Sequence, residues 1–440
     1  MNKFFTQIIF LITATNYFLI AQSNDLTKNK SIQIDSIQIT GNKTTEEFII
    51  LRELDFTVGD NVSEKQLDFN RERIFSLGIF NKVDFNLNEE ESLNILQIRI
   101  EESWYIYPLP YLRLRENSFK RSTYGLGVLY KNFRGRNENL WGLVTFGYDP
   151  TFMLTYYTPM LKTGTNLTFG IDVGYTHLAN RNIASEKIYG DQFSYNYIYG
   201  SVALGYRLNQ YNNIYLGTMY EFIDMPEQIS QLSASKSRID RIFSMGIFYE
   251  LDNRNLKQFS DNGTFLESSI IHKGFGINNI SYNIFNIDIR KYNTIYGNLA
   301  AKWRGLFRST FGGSIPFYGL SLLGDEEYIR GHRFDKREGN NYLITSLEVN
   351  YPIIKEWNLS LDLPLLPKSL TSARIGLYTN LFVDSGTTFD NNESLKLNSA
   401  DTGWGFGLTL LVLPYNAIRF EYAFNEMKKG EFILETGFSF

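Results

Sequence analysis

Most of the chain after residue 103 consists of segments in which apolar and polar residues alternate, separated by turns rich in glycine, asparagine and aspartate. In one such segment, Leu299 and Trp303 oppose Lys302 and Arg304. Strict alternation predicts a β-strand, because successive side chains of a strand point to opposite faces of the sheet. Charged residues fall on one face of most segments, so we expect a mainly β protein whose sheet has one apolar and one polar face.

Two architectures fit such a sheet. A soluble sandwich buries its apolar face in a core, whereas a membrane barrel turns that face toward lipid and lines a wet interior with the other. Because every backbone group in lipid must be paired, a sheet that spans a membrane has to close. The long polar faces and the terminal phenylalanine favour a transmembrane antiparallel β-barrel over residues 103–440. We count about sixteen strands, the first near Tyr107 and the last ending at Phe440.

The first residues predict an export signal, which also favours a membrane barrel. Lys3 precedes an apolar stretch over residues 4–20, and Ala21-Gln22 offers a cleavage point. We assign residues 1–21 to a signal peptide. The alternative is a retained anchor, which the polar interruptions at Thr13 and Asn16 disfavour.

Composition excludes several kinds of function. The chain has no cysteine, which excludes thiol catalysis, disulfides and cysteine-based zinc sites. Its 43 Lys and Arg against 47 Asp and Glu give no basic excess, so we expect no nucleic-acid partner. The three histidines, His177, His272 and His332, are scattered, so we expect no metal site and no cofactor.

Residues 31–102 predict a separate small α+β domain with the order β-α-α-β-β. Thr44 with Glu47, and Ser63 with Gln66, fit capping boxes at the starts of two helices. Alternating segments precede and follow the helices.

This order and its turns resemble a POTRA domain. The matching motifs are Gly41-Asn42 after the first strand, Gly59-Asp60 between the helices, and Gly78 before the second strand. The alternative is an unrelated domain of the same order and size. There is room for only one such unit before the barrel.

A long connection between the eleventh and twelfth predicted strands, residues 310–341, contains Arg330-Gly331-His332. This resembles the Arg-Gly loop signature of the BamA/TamA superfamily of outer-membrane β-barrel proteins, which includes bacterial surface antigens. Further motifs resemble the family in the expected order. They are 132–137, the turn motif of Asp252, Arg254 and Gly263, then 339–340, 351–352, 381–386, 403–407 and the C-terminal barrel signal of Phe432, Leu434, Phe438 and Phe440.

The resemblance implies that the long loop folds into the barrel and that carboxylates of the wall hold its arginine. The alternation independently places Glu348 and Asp384 on the polar face of adjacent predicted strands. We expect Arg330 to pair with both, because its planar fork of donors suits carboxylates. Gly331 would let the backbone approach the wall closely. The alternative is a solvated arginine in an outer loop.

The chain departs from the family pattern in two places. His332 stands where the family commonly carries an aromatic residue, and the well-known insertases carry several POTRA domains rather than one. The loop arrangement is unaffected by the first departure. The second bears on whether this chain is an insertase.

By this resemblance, we expect a component of outer-membrane protein assembly or polypeptide translocation, with its N-terminal domain in the periplasm. A lateral seam between the first and last strands would pair an incoming strand by β-augmentation. Pro108 and Pro110 would weaken pairing in the first strand, unless they belong to a linker before it. The expected partners are outer-membrane lipids, unfolded polypeptide clients and accessory periplasmic or lipoprotein subunits.

Two other functions compete with this one. A passive outer-membrane pore or receptor could use the same scaffold, because a fold does not fix a function. An enzyme is not expected, because the sequence has no Gly-x-Ser-x-Gly elbow. The one suggestive cluster is His332 with Asp325 and Glu326.

Overall fold

The computed structural model describes residues 31–90, 92–115, 118–189, 193–324 and 327–437. The predicted signal peptide, residues 1–21, lies outside these ranges, as do Asp325, Glu326, Phe438 and Phe440. Within them, no helix combines the length and hydropathy that crossing a lipid bilayer requires.

Residues 31–102 form a small α+β domain. Its elements are β1 (Ser31–Gln33), β2 (Ser36–Thr40), α1 (Glu47–Leu51), β3 (Asn61–Ser63), α2 (Glu64–Phe75), β4 (Phe80–Glu90) and β5 (Leu93–Glu102). In its sheet, β5 lies between a parallel β2 and an antiparallel β4. The predicted β-α-α-β-β order is present, with the short β3 added, which pairs with β1.

One of the two predicted capping boxes forms only in half, because the side chain of Gln66 binds Asp55 at 2.8 Å rather than the N–H of Ser63, and the other box is wrong. Ser63 caps α2, because its hydroxyl accepts a hydrogen bond of 3.3 Å from the backbone N–H of Gln66. The box expected of Thr44 and Glu47 does not form. The N–H of Thr44 instead donates to the carboxylate of Glu102 at 3.0 Å, since the end of β5 lies beside this turn.

Sixteen antiparallel strands follow and form one sheet, in which each strand pairs with the next sheet strand along the chain. Their bounds are β6 (Ile106–Arg115), β7 (Ser118–Phe133), β8 (Glu138–Gly147), β9 (Thr151–Thr158), β10 (Leu167–Ala179), β11 (Ser194–Arg207), β12 (Asn212–Asp224), β13 (Ile239–Asp252), β14 (Gly263–Lys273), β15 (Tyr282–Tyr296), β16 (Leu299–Gly312), β19 (Asn341–Ser360), β20 (Ser372–Phe389), β21 (Asp401–Leu413), β22 (Asn416–Asn425) and β23 (Gly430–Thr436).

Short elements occupy the connections between these strands. They are the helices α3 (Ile183–Tyr189) and α4 (Lys368–Thr371), the 3₁₀ helices Glu227–Leu232, Ile277–Asn279, Phe317–Gly319 and Leu397–Ser399, and the hairpin of β17 (Ser321–Leu323) and β18 (Arg337–Gly339). Because the strands run alternately up and down, the connections lie at two ends. We call the end beside the N-terminal domain the near end, and the opposite end the far end.

The first strand is paired from its start. The β6–β7 ladder runs from Ile106 opposite Tyr130 and includes both Pro108 and Pro110. The alternative that the prolines belong to a linker is therefore wrong. Within the described residues, β6 and β23 do not pair with each other, so each is an edge strand.

The two faces of the sheet differ as the alternation predicts. Outward side chains such as Leu347, Leu381 and Phe406 are apolar and exposed, whereas the alternate Glu348 and Asp384 are buried in the interior. An apolar outer face around a polar interior is the arrangement of a membrane-spanning barrel.

The N-terminal domain covers the near end of the barrel. Arg73 of α2 is 1% exposed and donates to the carbonyl oxygens of Gln210 and Asp252, at 3.1 and 3.0 Å, at the near end of the barrel. Its charge is balanced by Glu53 at 3.6 Å, which also binds Arg207 of β11 at 2.8 Å. This buried ion network joins the two parts.

An apolar contact extends the same interface. Leu256, Phe259, Leu411 and Leu413 of the barrel belong to the buried core that contains the helices of the N-terminal domain. The domain and the near end therefore share one core.

Candidate functional site

The connection between β16 and β19, residues 313–340, enters the barrel from the far end. We call it the lumen loop. Its ends are held together by the β17–β18 hairpin. Between them, residues 327–333 contact inward side chains of the wall.

Arg330 of the lumen loop lies among three carboxylates from three strands. Its Nε and Nη2 donate to both oxygens of Asp384 on β20, at 2.7 and 2.8 Å. Its Nη1 donates to Glu348 on β19 at 3.1 Å and to Glu421 on β22 at 3.0 Å. The residue is only 5% exposed. The structure thus brings together the predicted Arg330, Glu348 and Asp384, and adds Glu421.

Other groups complete this cluster. The guanidinium of Arg330 lies 3.6 Å from the centre of the Phe382 ring, within the range of a cation–π contact. Lys302 of β16 lies 3.6 Å from Glu348, and Arg419 of β22 lies 3.8 Å from Glu421. Arg419 also binds Glu435 of β23. The buried acids therefore have cations beside them, which buried ions require if they are to remain charged.

Glycines on the inner face of β21 make room for the loop. A Cβ atom at Gly403 would lie 1.6 Å from the carbonyl oxygen of Arg330, and one at Gly405 would lie 2.7 Å from the Phe382 ring. On the loop itself, Gly331 has a φ of +94°, which side chains disfavour, and packs against the backbone of Phe424. A larger residue at Gly403 or Gly331 would push the loop away from the wall, whereas one at Gly405 would collide with the wall itself, at the carbonyl of Tyr422 and the ring of Phe382.

Flanking residues extend the loop contacts to both sides of the cluster. Glu327 binds Arg304 of β16 at 3.2 Å. Tyr328 hydrogen-bonds Glu435 of the edge strand β23, and Arg333 binds the same carboxylate at 3.2 Å. The lumen loop therefore bridges the interior from β16 to β23.

His332 anchors the loop to the connection between β22 and β23. Its Nδ1 lies 2.8 Å from Asp335 and its Nε2 lies 2.8 Å from Glu426. Burial alone would lower the pKa of the imidazole, but these two hydrogen bonds together with the negative charges of Asp401 and Glu426 outweigh it, so the pKa of His332 is raised above its ordinary value. The suggested enzyme cluster relied on Asp325 and Glu326, which lie outside the described residues.

The same histidine belongs to a group with metal-like spacing. Within the described residues, donor atoms of His332, Asp401 and Glu426 all lie within 4.8 Å of one another. Both ring nitrogens already have carboxylate partners, and Asp401 pairs with Arg337. We therefore assign the group to loop anchoring.

The other predicted site residues lie apart from the Arg330 cluster. Arg254 donates to both oxygens of Asp252 at 2.9 and 3.0 Å, and Gly263 closes the same near-end turn with a φ of +121°. Phe432 and Leu434 of β23 are exposed on the outer face.

The sequence reasoning missed Glu421, Lys302 and Gly403 as parts of the cluster. A signal existed for the first two, because alternation puts both on the polar face. Lys302 also stands directly opposite Glu348 in the β16–β19 ladder. No comparable signal marks Gly403, because its role depends on the path of the loop.

The comparisons with known proteins agree with this architecture. The chain matches the Omp85 superfamily domain over residues 132–440 and the POTRA family described as a surface antigen variable number repeat over residues 32–103. No curated protein sequence matches it significantly.

Two solved structures illustrate the shared fold. BamA from Haemophilus ducreyi lacking POTRA domains 1-3 aligns with a TM-score of 0.53 and 18% identity, covering 92% of this chain and 83% of that one. CdiB from Escherichia coli aligns with a TM-score of 0.55 and 11% identity, covering 92% and 75%. With its sixteen-stranded antiparallel sheet and single POTRA domain, the chain belongs to the Omp85 superfamily of outer-membrane β-barrel proteins.

Proposed function

We propose that this protein inserts other proteins into the outer membrane or passes polypeptides across it. The observation that carries the proposal is the lumen loop, which Arg330 ties to Glu348, Asp384 and Glu421 beside the last strands of the barrel. In this role the near end and the POTRA domain lie in the periplasm, and the far end faces outward.

The lumen loop contacts the edge strand β23 directly. Tyr328 and Arg333 both bind Glu435 of β23, three residues or fewer from Arg330. Movement of β23 would therefore strain the Arg330 cluster, and release of the cluster would leave β23 held by its backbone ladder to β22 alone. An exposed edge can pair with an incoming strand through its backbone N–H and C=O groups. β6 supplies the second edge of this proposed lateral seam.

The resting interior is poorly suited to free diffusion. The N-terminal domain covers the near end, and the lumen loop crosses the interior. The proposed partners are lipids of the outer membrane, unfolded polypeptide clients and accessory periplasmic or lipoprotein subunits. A passive pore or receptor on the same scaffold is the competing function.

Depletion of the protein tests the proposed function. An insertase should lower the abundance of many outer-membrane barrels, and a translocator should lower the export of one or a few secreted proteins, both measured by proteomics. The wild-type protein should restore the profile, and Arg330→Ala should restore it less. Arg290→Ala is the matched control, because Arg290 faces the interior and binds Asp288 of its own strand at 3.0 Å. An unchanged proteome, with steady large conductance in planar bilayers, would instead support a passive pore.

Exchange of the charges of Arg330 and Asp384 tests the proposed lock. Arg330→Asp or Asp384→Arg alone leaves buried charge without a partner, which should cost about 3–5 kcal/mol of folding stability. The double exchange should recover part of the loss, because the pair forms again in the opposite orientation. Urea unfolding in detergent micelles measures each variant. A double variant no more stable than either single variant would rule out the pairing.

Gly403→Ala tests the steric fit of the loop. The new Cβ atom would overlap the carbonyl oxygen of Arg330, and overpacking of this kind costs ~1–3 kcal/mol. Trypsin should then cut the folded protein at Arg333 or Lys336 about tenfold faster than wild type, since 1.4 kcal/mol corresponds to about tenfold. Gly142→Ala is the control, because the nearest atom to its Cβ would be 3.9 Å away. Equal rates of cleavage for Gly403→Ala and Gly142→Ala would contradict the close packing of the lumen loop against Gly403.

The raised pKa of His332 predicts a pH dependence of the loop anchor. The stabilisation should be fully present below about pH 6.5, the ordinary pKa of histidine, and should be lost as the pH rises through the higher folded-state pKa. The stability lost in His332→Gln should therefore be largest below about pH 6.5 and should shrink as the pH rises above it. Thermal unfolding in micelles measures it. His272→Gln is the control, because His272 binds the amide of Asn283 rather than a carboxylate. A loss that is constant with pH would contradict the charged anchor.

A further inference from the structure

The connection between β19 and β20 exposes more apolar surface than its neighbours at the near end. Polar residues dominate the connections 134–137 and 253–262. By contrast, this connection (361–371) and the end of β19 that precedes it (351–360) expose large apolar side chains to their surroundings, and we call residues 351–371 together the apolar finger. Among these side chains are Ile353, Trp357, Leu361, Leu363, Leu365 and Leu366.

The finger continues the lipid-facing surface of the barrel. Trp357 stands opposite Ile375 in the β19–β20 ladder. The next residue, Arg374, points the other way and binds Glu72 of the N-terminal domain at 2.8 Å. Because neighbouring residues of a strand point to opposite faces, Ile375 and Trp357 lie on the outer face, as Leu381 does further along β20.

The finger is held in a defined shape. The N–H of Leu361 donates to the carbonyl of Thr371 at 3.1 Å, and the hydroxyl of Thr371 donates back to the carbonyl of Leu361 at 2.6 Å. The carbonyl of Ser369 accepts from the N–H of Trp104 at 3.0 Å and from the hydroxyl of Tyr415 at 2.8 Å. These bonds fix the base of the finger, and at the tip the N–H of Leu366 donates to the carbonyl of Leu363 at 3.4 Å.

Leu365 at the tip is an unusual choice for its backbone conformation. Its φ is +70°, in the left-handed region where glycine or asparagine would be relaxed, and its side chain is fully exposed. A strained leucine with no covering side chain is more consistent with a requirement for an apolar group than with a turn that serves only to connect two strands.

We propose that the tip of the apolar finger inserts into the adjacent membrane leaflet, with Leu363, Leu365 and Leu366 among phospholipid acyl chains. Trp357 then lies at the interface, where amphipathic rings accumulate. Lys368 at the base lies 3.6 Å from Asp362, and because both side chains are exposed, the ammonium group can exchange this partner for headgroup phosphates. Lipid is the occupant because the finger is continuous with a surface that already faces lipid. This anchoring depends on the barrel lying in a membrane and is independent of the protein-assembly role.

Site-specific fluorescence tests the insertion. The natural chain has no cysteine, so Leu365→Cys carries one environment-sensitive label. In phosphatidylcholine vesicles its emission should be blue-shifted and should be quenched by lipids with a spin label on the acyl chain. Leu347→Cys on the outer face is the lipid-exposed reference, and Lys162→Cys in the connection between β9 and β10 is the water-exposed reference. The emission of labelled Leu365→Cys should resemble that of Leu347→Cys, and lipid spin labels should quench it several-fold more than they quench Lys162→Cys.

Two results would overturn the insertion. Unshifted and unquenched emission would place the tip in water. Blue-shifted emission without lipid quenching would mean that protein covers it, either a second copy of this chain or another polypeptide. Leu363→Cys provides a second reading from the same tip, and heat-modifiable migration on gels confirms that each labelled barrel is folded.

Discussion

Three carboxylates that point into the barrel from β19, β20 and β22 cannot stay ionised together unless cations lie between them, because removing like charges from water costs several kcal/mol for each ion. Arg330 is the central cation, and it arrives on a loop rather than on a strand. The register of three strands, the glycines of β21 and the path of the lumen loop therefore all have to fit one guanidinium. This shared requirement explains why Gly403 has no room for a side chain.

The same physical logic operates at the near end with a different arginine. Arg73 of α2 is buried among backbone carbonyls of the barrel turns and is balanced by Glu53. The turn that receives it is shaped by the ion pair of Asp252 and Arg254, so this turn holds the N-terminal domain in addition to connecting two strands. Two buried arginines thus hold two parts of the molecule in place. Arg330 holds the lumen loop inside the barrel, and Arg73 holds the N-terminal domain at the near end.

The sequence predicted those features that depend on residues close together in the chain. Alternation has a period of two, so it placed Glu348 and Asp384 on the inner face and gave the number of strands. Features that depend on distant parts of the chain were missed. Glu102 replaced the expected capping contact of Thr44 because β5 returns to that turn, and Glu421 joined the cluster because the sheet curves around the loop. The alternation along a strand shows which face of the sheet a residue occupies. It does not show which strands the curvature of the sheet brings together.

The most direct measurement of the central claim is solid-state NMR of the protein in lipid bilayers, with dipolar contacts recorded between arginine side-chain nitrogens and carboxylate carbons. The bidentate geometry, with N–O distances of 2.7 and 2.8 Å, predicts a strong contact that disappears in Asp384→Asn and is retained in Asp288→Asn. If the wild-type and Asp384→Asn spectra show the same arginine–carboxylate contacts, Arg330 does not bind this carboxylate in the membrane, and the account of the lumen loop is wrong.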